Sequence, residues 1–308
     1  MGRYRTPGLF VLLAAVWGSA FVATDVGLLD LPPLLFAAVR FDVAAVVLFA
    51  YVWLTGADWR PETREDYWYV AAGGTLAIGA HHAFLFAGQQ YVTGAVAAVL
   101  LGLIPVVTPA LTRLFSPDER LTRRTAVGVA SGFLGVVVIA NPDPANLAAS
   151  ALGVALVLGA ALAFALGAVA THARSPSLPL VATQAWMMAV GAAVLHGASL
   201  AAPGDQLAAA TWTPRALLAV AYLSVVAGAA GFLLYFRLLA ELGPIEASFL
   251  EYVIPVFAAV VGWLVLGQSV TLRTAAGFAA ILAGFLVAKW PAVRTELRHL
   301  ADGRRASP

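Results

Sequence analysis

The chain has 308 residues, 61% of them hydrophobic and 11% charged, against roughly 25% charged in a typical soluble domain, which excludes a water-soluble globular protein and predicts an all-α integral membrane protein. It has no cysteine, which excludes disulfide frameworks, thiolate metal sites and cysteine nucleophiles. The net charge of +2 says little as a sum, and its placement along the chain says more.

At about 20 residues per span, apolar runs bounded by Pro, Gly and charge predict ten transmembrane helices. They lie near Leu9–Leu29, Pro33–Leu54, Trp68–Gln89, Thr93–Phe115, Thr122–Ala140, Leu152–Thr171, Leu180–Leu200, Ala216–Phe236, Ile245–Leu266 and Leu272–Trp290. Thr93-Gly94 is the predicted turn between the third and fourth. Arg3 and Arg5 ahead of an apolar run, with Gly18-Ser19-Ala20 behind them, have the look of a secretory signal. The run is longer than the usual 7–15-residue apolar core and nine more spans follow, so it reads as an uncleaved first helix. With ten spans, Arg60, Arg64, Arg113, Arg120, Arg123, Arg124, Arg174, Arg237 and the basic residues of both tails share one side, while Arg215 and Arg273 fall on the other. The positive-inside rule then places both termini in the cytoplasm, in a multi-pass cell-membrane protein.

The chain also repeats itself. Adding 150 to Ala97, Ile104, Pro105 and Val106 gives Ala247, Ile254, Pro255 and Val256. Leu121–Gly128 then matches Val270–Gly277 after a one-residue deletion, and Gly135 matches Gly284. Residues 8–140 and 150–290 therefore read as two five-helix repeats, with cytoplasmic tails at 1–7 and 291–308. An odd number of spans per repeat inverts the second copy. Two inverted repeats around a central cavity, broken where Pro interrupts corresponding helices, are a recurrent plan of secondary transporters, and Pro105 and Pro255 are the predicted hinges.

The ninth span, within Gly243–Gly262, carries the strongest chemical signal. Pro255 has no N–H for the carbonyl four residues back, so the carbonyl of Glu251 is left free next to its own carboxyl group. Such a spot is tolerable in a membrane only when it faces protein or a water-filled cavity. Ala247, Glu251, Pro255, Ala258 and Gly262 form one stripe, whose first-repeat counterpart is Ala97, Leu101, Pro105, Thr108 and Thr112. The acid thus belongs to one repeat only.

Other polar residues join it. Thr75, His82 and Gln89 share a seven-residue stripe that favours His82 for the lumen, and adjacent His81 points about 100° away. Arg40 and Asp42, two residues apart, project to nearly opposite sides and each needs its own partner. Tyr235 shares a face with Gly228 and Gly231, and Trp17, Gln184 and Trp186 are further cavity candidates. Glu251 reads either as a proton-coupling or amine-binding carboxylate or as an acid locked to a neighbouring base. His82 reads as a substrate or proton group or as a backbone-bonded ring, and Arg40 as an anion binder or a brace. No spaced His and carboxylate cluster supports a metal site, and no motif implies a cofactor or a nucleic-acid partner. Gly128 with Gly132, and Ala276, Ala280 and Gly284, read as close helix contacts that serve a monomer or a homodimer.

These residues resemble the drug/metabolite transporter superfamily, in its ten-helix EamA-type branch. The resemblance rests on Trp17-Gly18-Ser19 with Phe21, Pro33 followed by Arg40, Pro105 with Glu119 and Gly128, Gln184, and Pro255 through Gly277. Gln268 departs from the acid usual at its place. The resemblance implies a carrier of a small metabolite or drug-like solute, often an exporter, with a cavity lined by helices one to four and six to nine and with helices five and ten as packing. Arg40, His82 and Glu251 together suit a zwitterion such as an amino acid. An intramembrane enzyme using His81, His82 and Glu251 is the alternative from another class, against which stand the missing Gly-x-Ser-x-Gly, His-Glu-x-x-His and cysteine nucleophile signals. A channel would need rings of like groups, and no P-loop indicates ATP-driven pumping.

Overall fold

The computed structural model describes residues 5–91, 97, 100–115, 122–140, 151–267, 272–288 and 290. Among them the chain is helical throughout, with no strand. The helices are α1 (Arg5–Leu28), α2 (Pro33–Thr55), α3 (Arg64–Ala72), α4 (His81–Gly88), α5 (Ile104–Phe115), α6 (Arg123–Ala140), α7 (Ala151–His172) and α8 (Leu180–Ala201). They continue with α9 (Pro214–Tyr222), α10 (Gly231–Leu242), α11 (Pro244–Ser248), α12 (Leu250–Leu266) and α13 (Leu272–Ala288). Among the described residues, seven helical stretches are long and apolar enough to cross a membrane. The predicted Thr93-Gly94 turn, the Asp118-Glu119-Arg120 loop, Gln268, the link at 141–150 and most of both tails lie outside the described residues.

Two π-helical stretches, Gly73–Ala80 and Leu223–Ala230, join α3 to α4 and α9 to α10. They stand 150 residues apart, as do the nine-residue helices ahead of them, and Thr63 and Thr213 cap those helices through their side-chain oxygens. The 150-residue offset seen in the sequence thus recurs in an irregularity that no residue pattern announced. A π turn hydrogen-bonds i→i+5 and is costly in isolation. Here the stretches GGTLAIGA and LSVVAGAA are rich in small residues, so a neighbouring helix comes close enough to hold them. A Cβ on Gly74 would sit 2.8 Å from the Met187 carbonyl oxygen, and one on Gly231 2.7 Å from Trp17 Nε1. Trp17 in turn donates its indole N–H to the carbonyl of Ala227 at 3.1 Å.

Packing is pairwise: α1 lies on α12, α2 on α8, α4 on α7, and α6 on α13. Gly18 makes the first pairing possible, because a Cβ there would lie 2.5 Å from Phe257 Cβ and 2.9 Å from the Ile254 carbonyl. Gly284 plays the same part against Gly128 and Gly132, each 2.7 Å from a Cβ at 284, as their spacing predicted.

The ninth predicted span is present as one apolar helical stretch, Pro244–Val265, with a local turn inside it: α11 ends at Ser248, Phe249 forms a turn, and α12 begins at Leu250. Phe249 N–H bonds to the Glu246 carbonyl and Tyr252 N–H to that of Phe249, tight i→i−3 turns just ahead of Pro255, which remains inside α12. Glu251 therefore stands in the first turn of α12. Pro105 likewise sits in the first turn of α5, where its missing N–H costs nothing, and a turn at Gly102-Leu103 precedes it.

Candidate functional site

A cavity of about 110 Å³ opens between α1, α2, α4, α7, α10 and α12. Trp17, Arg40, His82, Gln89 and Glu251, all singled out from sequence, line it together. Leu101 lines it as well, so the two repeat-related positions 101 and 251 face the same space, one apolar and one acidic. Phe21, Phe86, Phe164 and Phe232 supply the apolar wall. Thr24 and Gln89, near the ends of α1 and α4, line it as well.

Arg40 is 8% exposed and has no hydrogen bond or carboxylate partner among the described residues. Its Nε is buried without an acceptor, and its guanidinium rests against aromatic rings, 4.5 Å from the Phe41 centroid and 5.7 Å from that of Phe86. Cation–π contact holds such a group but leaves its N–H donors unused. Glu251 is half-buried and likewise has no hydrogen bond or ion pair among the described residues. The acid locked to a base, as the alternative reading had it, is not found there. A cation and a carboxylate that do not neutralise each other thus border one small space.

Both histidines line the cavity, where the sequence had favoured His82. Their rings meet nearly edge-on, 4.7 Å between centroids and 89° between planes, so two neighbours 100° apart border the same small space. His81 Nδ1 lies 3.0 Å from the carbonyl oxygen of Ala160 and His82 Nδ1 2.7 Å from that of Ile78. A carbonyl only accepts, so each ring carries its proton on Nδ1 and keeps the Nε2 lone pair free when neutral. The carbonyl of Ile78 belongs to the π stretch, which ties that irregularity to the orientation of the His82 ring.

Three sequence candidates lie elsewhere. Tyr235 is 2% exposed and packs beneath Trp17, with 5.2 Å between ring centroids, and against Phe164 and Phe236. It forms a floor under the cavity rather than its lining. Gln184 is fully buried in α8, its amide N–H₂ directed at the Met187 sulfur, because the stretch around it packs on α2 and α3. Trp186 donates to the Trp59 carbonyl at 2.7 Å at the rim. Asp42 does face away from Arg40 and meets His196 of α8 at 2.6 Å.

Sequence reading missed two clasps between distant segments. Asp66 of α3, 1% exposed, closes a capping box with Thr63 and accepts from the backbone N–H groups of Ser177 and Leu178 at 2.8 and 3.0 Å. Asp30, in the α1–α2 connection, accepts from Arg215 Nε and Nη2 at 2.6 and 2.7 Å and from the Thr213 hydroxyl. Arg215 and Thr213 hold the Asp30 carboxyl down at about 2. In each clasp the start of the helix leading into a π stretch is tied to a connection in the other half of the chain. The Thr63-x-x-Asp66 spacing signalled the cap, but no local pattern named its distant partners.

The description "EamA-like transporter family" fits the chain twice, over residues 6–141 and 151–289. The uncharacterized transporter YoaV of Bacillus subtilis (strain 168) is 25% identical over 278 residues, covering 90% of this chain and 94% of its own. The protein of Salmonella typhimurium (strain LT2) named "Probable amino-acid metabolite efflux pump" is 27% identical over 286 residues, with 91% and 93% covered. A crystal structure with 20% identity shares the fold, with a TM-score of 0.77 over 94% of this chain and 99% of its own.

Proposed function

The chain belongs to the EamA-like transporter family, and on that premise we propose that it is a secondary active carrier exporting a small zwitterionic metabolite of the amino-acid type. It is a multi-pass membrane protein and a transporter, as its named relatives are, so the intramembrane-enzyme alternative is set aside. The observation that carries the substrate reading is that Arg40 and Glu251 line one cavity with no protein partner for either charge among the described residues. A solute bringing its own anion and cation relieves both at once, which a neutral or singly charged solute does not. Arg40 takes the carboxylate, Glu251 the ammonium, and the free Nε2 atoms of His81 and His82 accept further N–H or O–H groups. Trp17 and the phenylalanines hold the apolar remainder. The name of the Salmonella typhimurium relative supports the same class.

In this proposal ten spans form two inverted repeats, residues 8–140 and 150–290, with both termini cytoplasmic. Thr24 and Gln89 then lie on the outward side of the cavity. The Trp17, Tyr235 and Phe236 layer closes the cytoplasmic side. Alternating access rocks one repeat against the other about the turns ahead of Pro105 and Pro255, and a proton on Glu251 replaces the departing ammonium. Flux into proteoliposomes from a metabolite panel under imposed pH gradients tests this. The expected result is amino-acid transport driven by the gradient and slowed at least about tenfold by Glu251→Gln, one lost charged contact. Transport of uncharged solutes alone, or flux in Glu251→Gln with unchanged rate and pH response, would overturn it.

A further inference from the structure

The Asp42–His196 pair lies outside the cavity, on the outer flank of α2 and α8, and the transport reading leaves it without a role. Its depth follows from helix geometry. Asp42 is nine residues from Pro33 and His196 five from Ala201, about 14 and 8 Å along helices that are candidate membrane spans. Both are therefore inside the hydrocarbon layer. Yet the side chains are 41% exposed for His196 and 47% for Asp42, amid Val46 at 66% and Leu200 at 88% exposed. Their mutual contact uses His196 Nε2 and Asp42 Oδ2. His196 Nδ1 and Asp42 Oδ1 have no partner among the described residues. Polar atoms at this depth are stable only against protein or water, and the neighbours Val46 and Leu200 offer them no hydrogen-bonding group.

We propose that this flank is an interface between two copies of the chain, related by a two-fold axis. The charge pattern is self-complementary, as an isologous contact requires. His196 Nε2 keeps its contact with its own Asp42 Oδ2, and its Nδ1 faces the partner's Asp42 Oδ1. Two carboxylates and two imidazole rings then close one ring of polar contacts across the axis. The surface beside the pair is shaped for close approach: Ala193 and Gly197 are exposed on the same face, and a Cβ on Gly197 would meet nothing within 4 Å. Both elements of the flank are long and packed on each other, so the copies meet on a rigid surface.

The natural absence of cysteine gives a clean test. Single variants Ala193→Cys and Gly197→Cys of the full chain, in membranes, are oxidised with copper phenanthroline. The expected product is a band at twice the 31.9 kDa chain mass. Val127→Cys and Leu134→Cys, on the exposed face of α6, should stay monomeric. Adding Asp42→Leu with His196→Leu, an apolar pair that keeps the helices packed, should cut the cross-linked fraction at least tenfold while the protein still elutes as a folded monomer. No cross-link at 193 or 197, a cross-link at 127 or 134 instead, or a cross-link indifferent to the double leucine variant would each overturn the proposal.

Discussion

Asp66→Ala is the perturbation whose size is clearest. The carboxylate accepts from the backbone N–H groups of Thr63, Ser177 and Leu178 at 3.0, 2.8 and 3.0 Å and from the Ser177 hydroxyl at 2.9 Å, and the residue is almost wholly enclosed. Alanine leaves these donors facing a space where the acceptor was. Each buried orphan costs about 1–3 kcal/mol, and water entering the vacated volume satisfies some of them, so the loss should be about 3–5 kcal/mol, at the upper end for one substitution. At roughly 2–4 °C per kcal/mol for chains of this order of size, the midpoint of heat denaturation in detergent should fall by about 10 °C. Asp66→Asn keeps one oxygen for Ser177 and Leu178 and loses the charge, so it should fall about half as far. A shift below about 2 °C for alanine would refute the idea that this clasp holds α3 to the α7–α8 connection.

The Asp30–Arg215 clasp responds to acid in a defined window. Because the Asp30 carboxyl is held at about 2 in the folded chain, below its ordinary value, its contribution is complete above about pH 4 and is lost as pH falls toward 2. Infrared titration of the carboxyl band should show this, and Arg215→Ala should move the onset up to about pH 4. Gly18→Ala drives a methyl into Phe257 and the Ile254 carbonyl and should destabilise by about 1–3 kcal/mol, whereas Gly197→Ala should be neutral by the same melting assay. His82→Asn retains an N–H for the Ile78 carbonyl and removes the Nε2 acceptor. It should leave the melting point within about 2 °C and raise KM about tenfold, for one lost hydrogen bond to a charged group.

Much of this architecture was readable because hydrocarbon imposes simple rules. Length and hydropathy located the seven apolar helical stretches found among the described residues, and the Ile-Pro-Val echo at 104 and 254 carries the same 150-residue offset as the two π stretches. An intramembrane Arg40 and Glu251 had to face something other than lipid. What stayed hidden depends on the backbone departing from the 3.6-residue period. The π stretches at Gly73–Ala80 and Leu223–Ala230 depart from the regular helix period, so a stripe counted by sevens through Thr75, His82 and Gln89 favoured His82 where the fold brings both His81 and His82 to the cavity. The break at Phe249 was invisible because nothing in Ser248-Phe249-Leu250 is a turn signal. Tyr235 and Gln184 were misplaced for another reason: aromatic and amide residues beside glycine suit a cavity floor or a packed interface as well as a lining, and only the neighbours Trp17 and Met187 decide between them. Asp42 was correctly separated from Arg40, but the identity of its partner, 154 residues away in sequence, required the fold.

The central claim is that Arg40 and Glu251 grip opposite charges of one solute. The most direct test measures binding of three matched ligands to the purified protein: an amino acid, the amine lacking its carboxylate, and the acid lacking its ammonium. The wild-type chain should prefer the amino acid over either analogue by at least about tenfold, one charged contact each. Arg40→Gln should erase the preference over the amine and keep that over the acid, and Glu251→Gln should do the reverse. Equal weakening of all three ligands by either variant, or no weakening, would contradict the account.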